Sequence, residues 1–333
     1  MTLNRVARLV ERPTGLVTRG NFAIGDEPLP EPRDGEFRVK VSHISLDPAM
    51  RGWMNDARSY VEPVGLGEVM RALAVGHVEA SRHPEFREGD AVSGRFGVQQ
   101  YALSNGVGVG RIDETLAPLP TWLGGLGMPG LTAYFGLFEV AKAQAGETVV
   151  VSAASGAVGQ VVGQLARITG CRAVGIAGGT EKCALVTGTF GFAAAVDYKA
   201  ADFVGRLDAA APGGIDVDFE NVGGAVFEAV LARMNTFGRI ALCGLISAYN
   251  ASRAEAGPRN LRLVLTQRLR MQGFIVFDFA ARYDEALAAL TGWYKDGRLT
   301  LIEDVRDGGI DAYPDVLNLL YTSGNRGKLV LKV

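Results

Sequence analysis

Glu147-Thr-Val-Val-Val-Ser-Ala-Ala-Ser-Gly-Ala-Val-Gly-Gln-Val-Val-Gly-Gln-Leu-Ala166 decides the fold. Val149, Val150 and Val151 are β-branched and uncharged, the signature of a strand buried on both faces of a parallel sheet. From Val158 the apolar residues recur as Val161, Val162, Leu165 and Ile168, one face of a helix. The residues between are nearly all small. A strand, a turn of small residues and a helix start present main-chain N–H groups and a positive dipole end to an anion, which is how a pyrophosphate is held. Ala154-Ser-Gly-Ala-Val-Gly159 fits G-x-G-x-x-G with alanine at the first glycine. Alone, it also fits a tight turn that needs small residues for packing.

Further strands and helices settle the context. They are Arg172–Ala177 (strand), Glu181–Phe190 (helix), Ala194–Val196 (strand), Ala201–Ala209 (helix), Ile215–Phe219 (strand) and Gly224–Met234 (helix). Arg239–Cys243 (strand), Leu261–Leu269 (helix), Met271–Phe277 (strand) and Asp284–Lys295 (helix) follow. This alternation predicts a doubly wound α/β fold, a parallel sheet covered on both faces, with ligands at the carboxyl ends of its strands. A Gly/Pro-rich joint, Trp122 to Gly130, leads into a helix at about Leu131 to Ala143, and a cleft between domains is expected to open there.

Residues up to about Pro120 alternate short apolar runs with Pro, Gly and Asp, which predicts a small, mostly antiparallel β domain. The tail ends in a strand at Lys328–Val333 and is expected to return to that domain, placing 1–125 and 301–333 together and 126–300 between them. Asp47 and Arg51 follow a strand of the first domain, either as a loop-holding ion pair or with Arg51 on substrate. Tyr60 lies on the loop Asn55 to Pro63, packed or at the edge of a site.

The 333 residues carry a formal charge of -2 and no Lys/Arg run, which argues against nucleic acid or an anionic membrane as partner. Neither the start nor any later segment reads as a membrane span, so a cytoplasmic protein is expected. Cys171, Cys183 and Cys243 are scattered, and His43, His77 and His83 supply no set of three ligands, so no metal is expected. An NAD site usually has an acid about 20 residues past the glycine turn. Here stand Gly178-Gly179, followed by Glu181-Lys182, small residues and a cation suited to the 2′-phosphate of NADPH or, alternatively, ordinary charges of a helix start.

Seven motifs in order resemble the zinc-independent medium-chain reductases, within them the leukotriene/prostaglandin and alkenal double-bond reductases with their curcumin-reductase-like members. They are Ser45-Leu-Asp-Pro-x-Met-Arg51, Gly127-Met-Pro-Gly-Leu-Thr-Ala-Tyr134, Ala153-Ala-Ser-Gly-Ala-Val-Gly159, Glu181-Lys182, Glu220-Asn-Val-Gly-Gly224, Cys243-Gly-x-Ile-Ser-x-Tyr-Asn250 and Gly324-Asn-x-Gly-Lys328. The resemblance implies a Rossmann domain beside a GroES-like substrate domain, a homodimer, and NADPH-dependent reduction of the C=C bond of an enone or enal. Quinone reduction and an idle NADPH-binding protein are the alternatives.

Carried over by the resemblance, Gly156, Ala157, Val158 and Gly159 hold the pyrophosphate, and Lys182 and Tyr198 the 2′-phosphate and adenosine end. Asn221, Cys243, Gly244, Ser247, Tyr249, Phe274, Ile275, Val276 and Asn325 contact the cofactor elsewhere, with Met128 and Thr132 at the nicotinamide. Several relatives have a tyrosine at the substrate carbonyl where this chain has Thr266. The enolate oxygen still needs a donor, and Tyr60 and Tyr249 are the candidate phenols, with a cofactor ribose hydroxyl as alternative.

Overall fold

The computed structural model describes residues 3–251 and 257–333. The chain forms two compact units, Met1–Leu123 with Glu303–Val333, and Gly124–Ile302.

In the second unit six parallel strands lie in the order Ala194–Asp197, Arg172–Ala177, Thr148–Val151, Ile215–Glu220, Met234–Leu242, Arg270–Gly273. The chain winds outward one way from Thr148–Val151 and then the other way from Ile215–Glu220, so the switch point falls between these two neighbours. This is the doubly wound sheet that the valine run and the alternation predict. Val149, Val150 and Val151 are fully buried because helices cover both faces. Val150, Val174, Ile176, Val196, Phe227, Val230 and Ile240 form the core on one of them.

The helix Gly159–Ile168 differs from the one-sided helix its apolar spacing suggests, since every residue from Gly159 to Ala166 is buried. Its polar side is covered by chain rather than water. Gln164 donates to Thr300 O (2.8 Å) and accepts from Thr300 N (2.8 Å), and Gln160 does the same with Ile302 O (3.1 Å) and N (3.0 Å). One helical turn apart, the two amides act as a strand edge for the segment that leaves the unit.

Element boundaries shift where local geometry overrides periodicity. Met128–Phe135 is helical from its start because Pro129 sits in the first turn, where its missing N–H costs nothing, and a wider turn, Gly136–Val140, continues it. The helix after Gly223 ends at Leu231, and the next strand begins at Met234 rather than Arg239, bulged opposite Ile215 to Val217. The strand expected at Met271–Phe277 ends at Gly273, and a 3-10 turn, Val276–Arg282, follows.

In the first unit, Phe37–Ser45, Ala74–Ser81, Ala91–Gly94, Tyr101–Ser104 and Gly110–Arg111 pair antiparallel. The tail strand Lys328–Lys332 pairs antiparallel with Phe37–Ser45. Glu303–Arg306 lies parallel at its outer side. Among the described residues no helix is long and apolar enough to cross a membrane.

Candidate cofactor site at the strand ends

The turn Ser152 to Val158 is locked to the strands on either side. Ser152 N donates to Phe219 O (3.2 Å) and Ala154 N to Ile176 O (3.0 Å). Ala153 takes φ 50°, an uncommon value without glycine. A Cβ on Gly159 would stand 2.3 Å from Ala153 O, and one on Gly156 3.1 Å, so the first helical turn closes against the loop only with glycine. The alanine at the motif's first glycine is compensated from the next strand. Ala154 is fully buried, and a Cβ on Gly175 would lie 2.8 Å from its own Cβ. The turn therefore packs as tightly as the motif requires, with one of its glycines moved to the second strand.

At the end of that strand, a Cβ on Gly178 would meet Tyr198 Cε1 at 2.8 Å, Tyr198 Oη at 3.1 Å and Lys199 Cε at 3.1 Å. The tyrosine thus occupies the place where a larger residue would stand. Asp197 accepts from Gly179 N (2.8 Å) and Lys199 N (2.9 Å), bonds that hold its carboxyl below the usual range. The acid at the third strand end is therefore turned to the main chain. Lys199 Nζ lies 5.9 Å from the Tyr198 ring centre. Lys199 is thus a cation beside Gly178 that the sequence did not single out, though it is adjacent to Tyr198. Lys182 is half-buried, in the first turn of Thr180–Gly188.

The two strand ends beyond the switch point interlock. Asn221 Nδ2 donates to Ser152 O (2.8 Å), Ile246 N to Asn221 O (3.1 Å) and Ser247 N to Val222 O (2.9 Å). Tyr249 folds back over its own loop, its hydroxyl accepting from Leu245 N (3.3 Å) beside Gly244. Burial, with a contribution from Glu220, pushes the Cys243 thiol up to about 12, so it stays protonated. Met128 and Thr132 are one turn apart on their helix, both half-buried, and Thr132 Oγ1 donates to Met128 O (2.8 Å). Phe274 and Val276 turn into the core, leaving Ile275 partly exposed, while Thr266 is exposed at the end of the short helix Arg262–Thr266.

In the first unit the Asp47–Arg51 ion pair is corrected. Arg51 is buried and donates to Pro13 O (2.8 Å), Gly15 O (2.8 Å) and Asn55 Oδ1 (2.6 Å). It holds the loop through these three carbonyl oxygens, with its guanidinium buried rather than open to solvent. Asp47 instead takes Lys328 Nζ (2.6 Å) and Ser45 Oγ (2.5 Å). Tyr60 is exposed and accepts from Trp53 Nε1 (3.0 Å), on a loop that curls around a cavity of about 310 Å³ lined by Asp56, Arg58, Ser59 and Glu62. Asn325 Nδ2 donates to Gly327 O (3.0 Å) just before the tail strand.

The chain matches the model of the N-terminal domain of oxidoreductase over residues 5–112 and that of zinc-binding dehydrogenase over residues 157–292. The zinc in that description finds no donor set: no group of three or more His, Cys, Asp or Glu among the described residues could hold a metal ion. His77 pairs with Glu114 (2.8 Å) and His43 with Ser42 (3.0 Å).

The NADPH-dependent curcumin reductase of Escherichia coli (strain K12) is 41% identical over 336 residues, covering 99% of this chain and 97% of its own. The NADP(+)-dependent 2-alkenal reductase of Nicotiana tabacum is 43% identical over 298 residues, covering 89% and 86%. The crystal structure of CurA in complex with NADPH from Vibrio vulnificus matches with TM-score 0.93 and 44% identity over 99% of each chain. The likeness that seven motifs suggested extends over the whole length, and the chain belongs to the NADP-dependent reductases of the medium-chain dehydrogenase/reductase family.

Proposed function

We propose that this protein reduces the carbon–carbon double bond of α,β-unsaturated ketones and aldehydes with NADPH. The observation that carries the reading is full-length likeness to reductases named for NADPH and for conjugated carbonyl compounds, curcumin and 2-alkenals. The glycine cradle and the acid-free end of the second strand fit that cofactor. Gly156 to Gly159 take the pyrophosphate on main-chain N–H groups. Lys182, Lys199 and Tyr198 receive the 2′-phosphate and adenosine end, where fixed cations favour a dianion. Asn221, Gly244, Ser247 and Ile275 line the path onward, Met128 and Thr132 border the nicotinamide, and Asn325 is a further cofactor residue. Bound NADPH supplies the hydride for the β-carbon, and the α-carbon of the enolate then takes a solvent-derived proton.

The protein's part is orientation and charge. A phenol, Tyr249 or Tyr60, donates its proton in a hydrogen bond to the carbonyl oxygen as enolate charge builds there. Thr266, lacking a phenol, borders the substrate without taking that role. In this reading Gly124–Ile302 is the cofactor domain and the other unit shapes the substrate site.

The assembly is a homodimer formed through the edge strand Arg270–Gly273. All four of its residues are exposed, and Met271, Phe237 and the 76% exposed Leu265 are large apolar groups on the same unit. A cytoplasmic location belongs to the same reading. Following NADPH oxidation across alkenals, aryl enones and quinones tests the activity: turnover of enones is expected, and turnover of quinones alone would replace the reading.

A further inference from the structure

The central strand Ile215–Glu220 carries two acids inside the protein, Asp218 and Glu220, both 0% exposed. In register Asp218 lies between Val150 and Ile240, core residues, and neither of its oxygens has a hydrogen-bond partner among the described residues. Glu220 is different. Its Oε1 accepts from Val222 N (2.5 Å) and Gly223 N (2.6 Å), while Oε2 has no partner among the described residues. Its main-chain oxygen accepts from Cys243 N (2.9 Å) and Gly244 N (3.1 Å). The next residue, Asn221, donates its N–H to Ser152 Oγ (2.7 Å).

Three loops thus meet on two adjacent residues: the glycine turn through Asn221 N–H and Ser152, the Glu220 turn through its side chain, and the Cys243 to Tyr249 loop through the Glu220 main chain. The turn it holds contains Gly223 at φ 82° and Gly224 at φ 56°, a shape with little intrinsic preference. A buried carboxyl is an expensive way to fix a turn unless the turn's exact shape matters.

We propose that Glu220 is a positioning residue for the cofactor, its carboxyl setting the Asn221 to Gly223 turn and through it the register of the three loops. The inference rests on the reading that these loops hold NADPH. An amide oxygen can accept the same two N–H bonds, whereas a methyl group cannot.

The test titrates NADPH by fluorescence, without any acceptor substrate, and measures KM for NADPH and for an enone alongside thermal unfolding. Glu220→Ala is expected to weaken NADPH binding and raise its KM by about tenfold or more, with the enone KM near the parent value. Glu220→Gln is expected to recover most of that loss, and Asp218→Asn to leave NADPH affinity unchanged. Folded Glu220→Ala binding NADPH like the parent, or Glu220→Gln as poor as Glu220→Ala, overturns the inference. If Glu220→Ala does not fold, Ser152→Ala decides: it removes the acceptor of the Asn221 N–H, and a parent-like KM for NADPH counts against the proposal. Failure of the parent itself to bind NADPH would instead overturn the functional reading beneath it.

Discussion

At the scale of residues, the open question is the oxyanion donor. Tyr249 keeps its hydroxyl over Gly244, and Tyr60 holds its hydroxyl on Trp53. Removing a true transition-state donor costs about 2.7–4 kcal/mol, mainly in kcat, whereas losing a packing contact leaves kcat alone. Tyr249→Phe or Tyr60→Phe is therefore expected to lower kcat for an enone while NADPH still binds. Parent-like kcat in both single variants and in the double variant would shift the role to a ribose hydroxyl or water. Cofactor choice is also decided by single residues. Lys182→Ala and Lys199→Ala are each expected to raise KM for NADPH far more than for NADH, since only NADPH loses a charge-assisted contact. Equal losses with both cofactors would show that these cations do not read the phosphate. Lys182 is a candidate from its place after Gly178-Gly179 in the sequence. Lys199 is not, because only the fold brings the third strand end against the second.

At the scale of elements, the strands around the switch point were legible because β-branched runs buried on two faces have no competing pattern. What escaped was polar burial. Gln160 and Gln164 look like a solvent face until the exit segment pairs with them, and Asp218 looks like an ordinary strand charge. Burial, with Glu220 adding to it, holds the Asp218 carboxyl well above its usual range. A folded-state value above the unfolded one means that the native state binds the extra proton, so stability falls as pH rises above about 4. Asp218→Asn removes that loss. Its stability advantage over the parent is expected to grow with pH above about 4 in denaturant titrations, and a pH-independent difference would show that Asp218 is not a neutral buried acid.

The tail strand gives a second element test. Lys328 is 1% exposed and Asp47 24%, so stranding the lysine is worse than stranding the acid. Asp47→Ala is expected to cost about 3–5 kcal/mol and Lys328→Met less. The reverse order would mean that the pair is not what anchors the tail strand to the sheet. This joint ties Ser45-Leu-Asp47 to Gly327-Lys328, two segments distant in sequence that meet in one ion pair.

At the scale of the whole molecule, the donor inventory predicts a metal-independent enzyme: stoichiometric zinc should be absent after purification and chelators should leave turnover unchanged. Zinc at one per chain and needed for activity would contradict that. Light scattering is expected to give a dimer, and a charged residue at Met271 to shift it toward monomer; an unshifted dimer would move the interface off this edge. The fold class and cofactor type were legible because glycine turns and strand ends are local in sequence. The substrate was not, since no local motif spells out which side chains would face it.

The most direct measurement of the central claim follows deuterium from NADPH labelled at nicotinamide C4 into an aryl enone. The account predicts a saturated ketone with the deuterium on the β-carbon. Deuterium on the carbonyl carbon of an allylic alcohol, or no product while NADPH stays tightly bound, would contradict it.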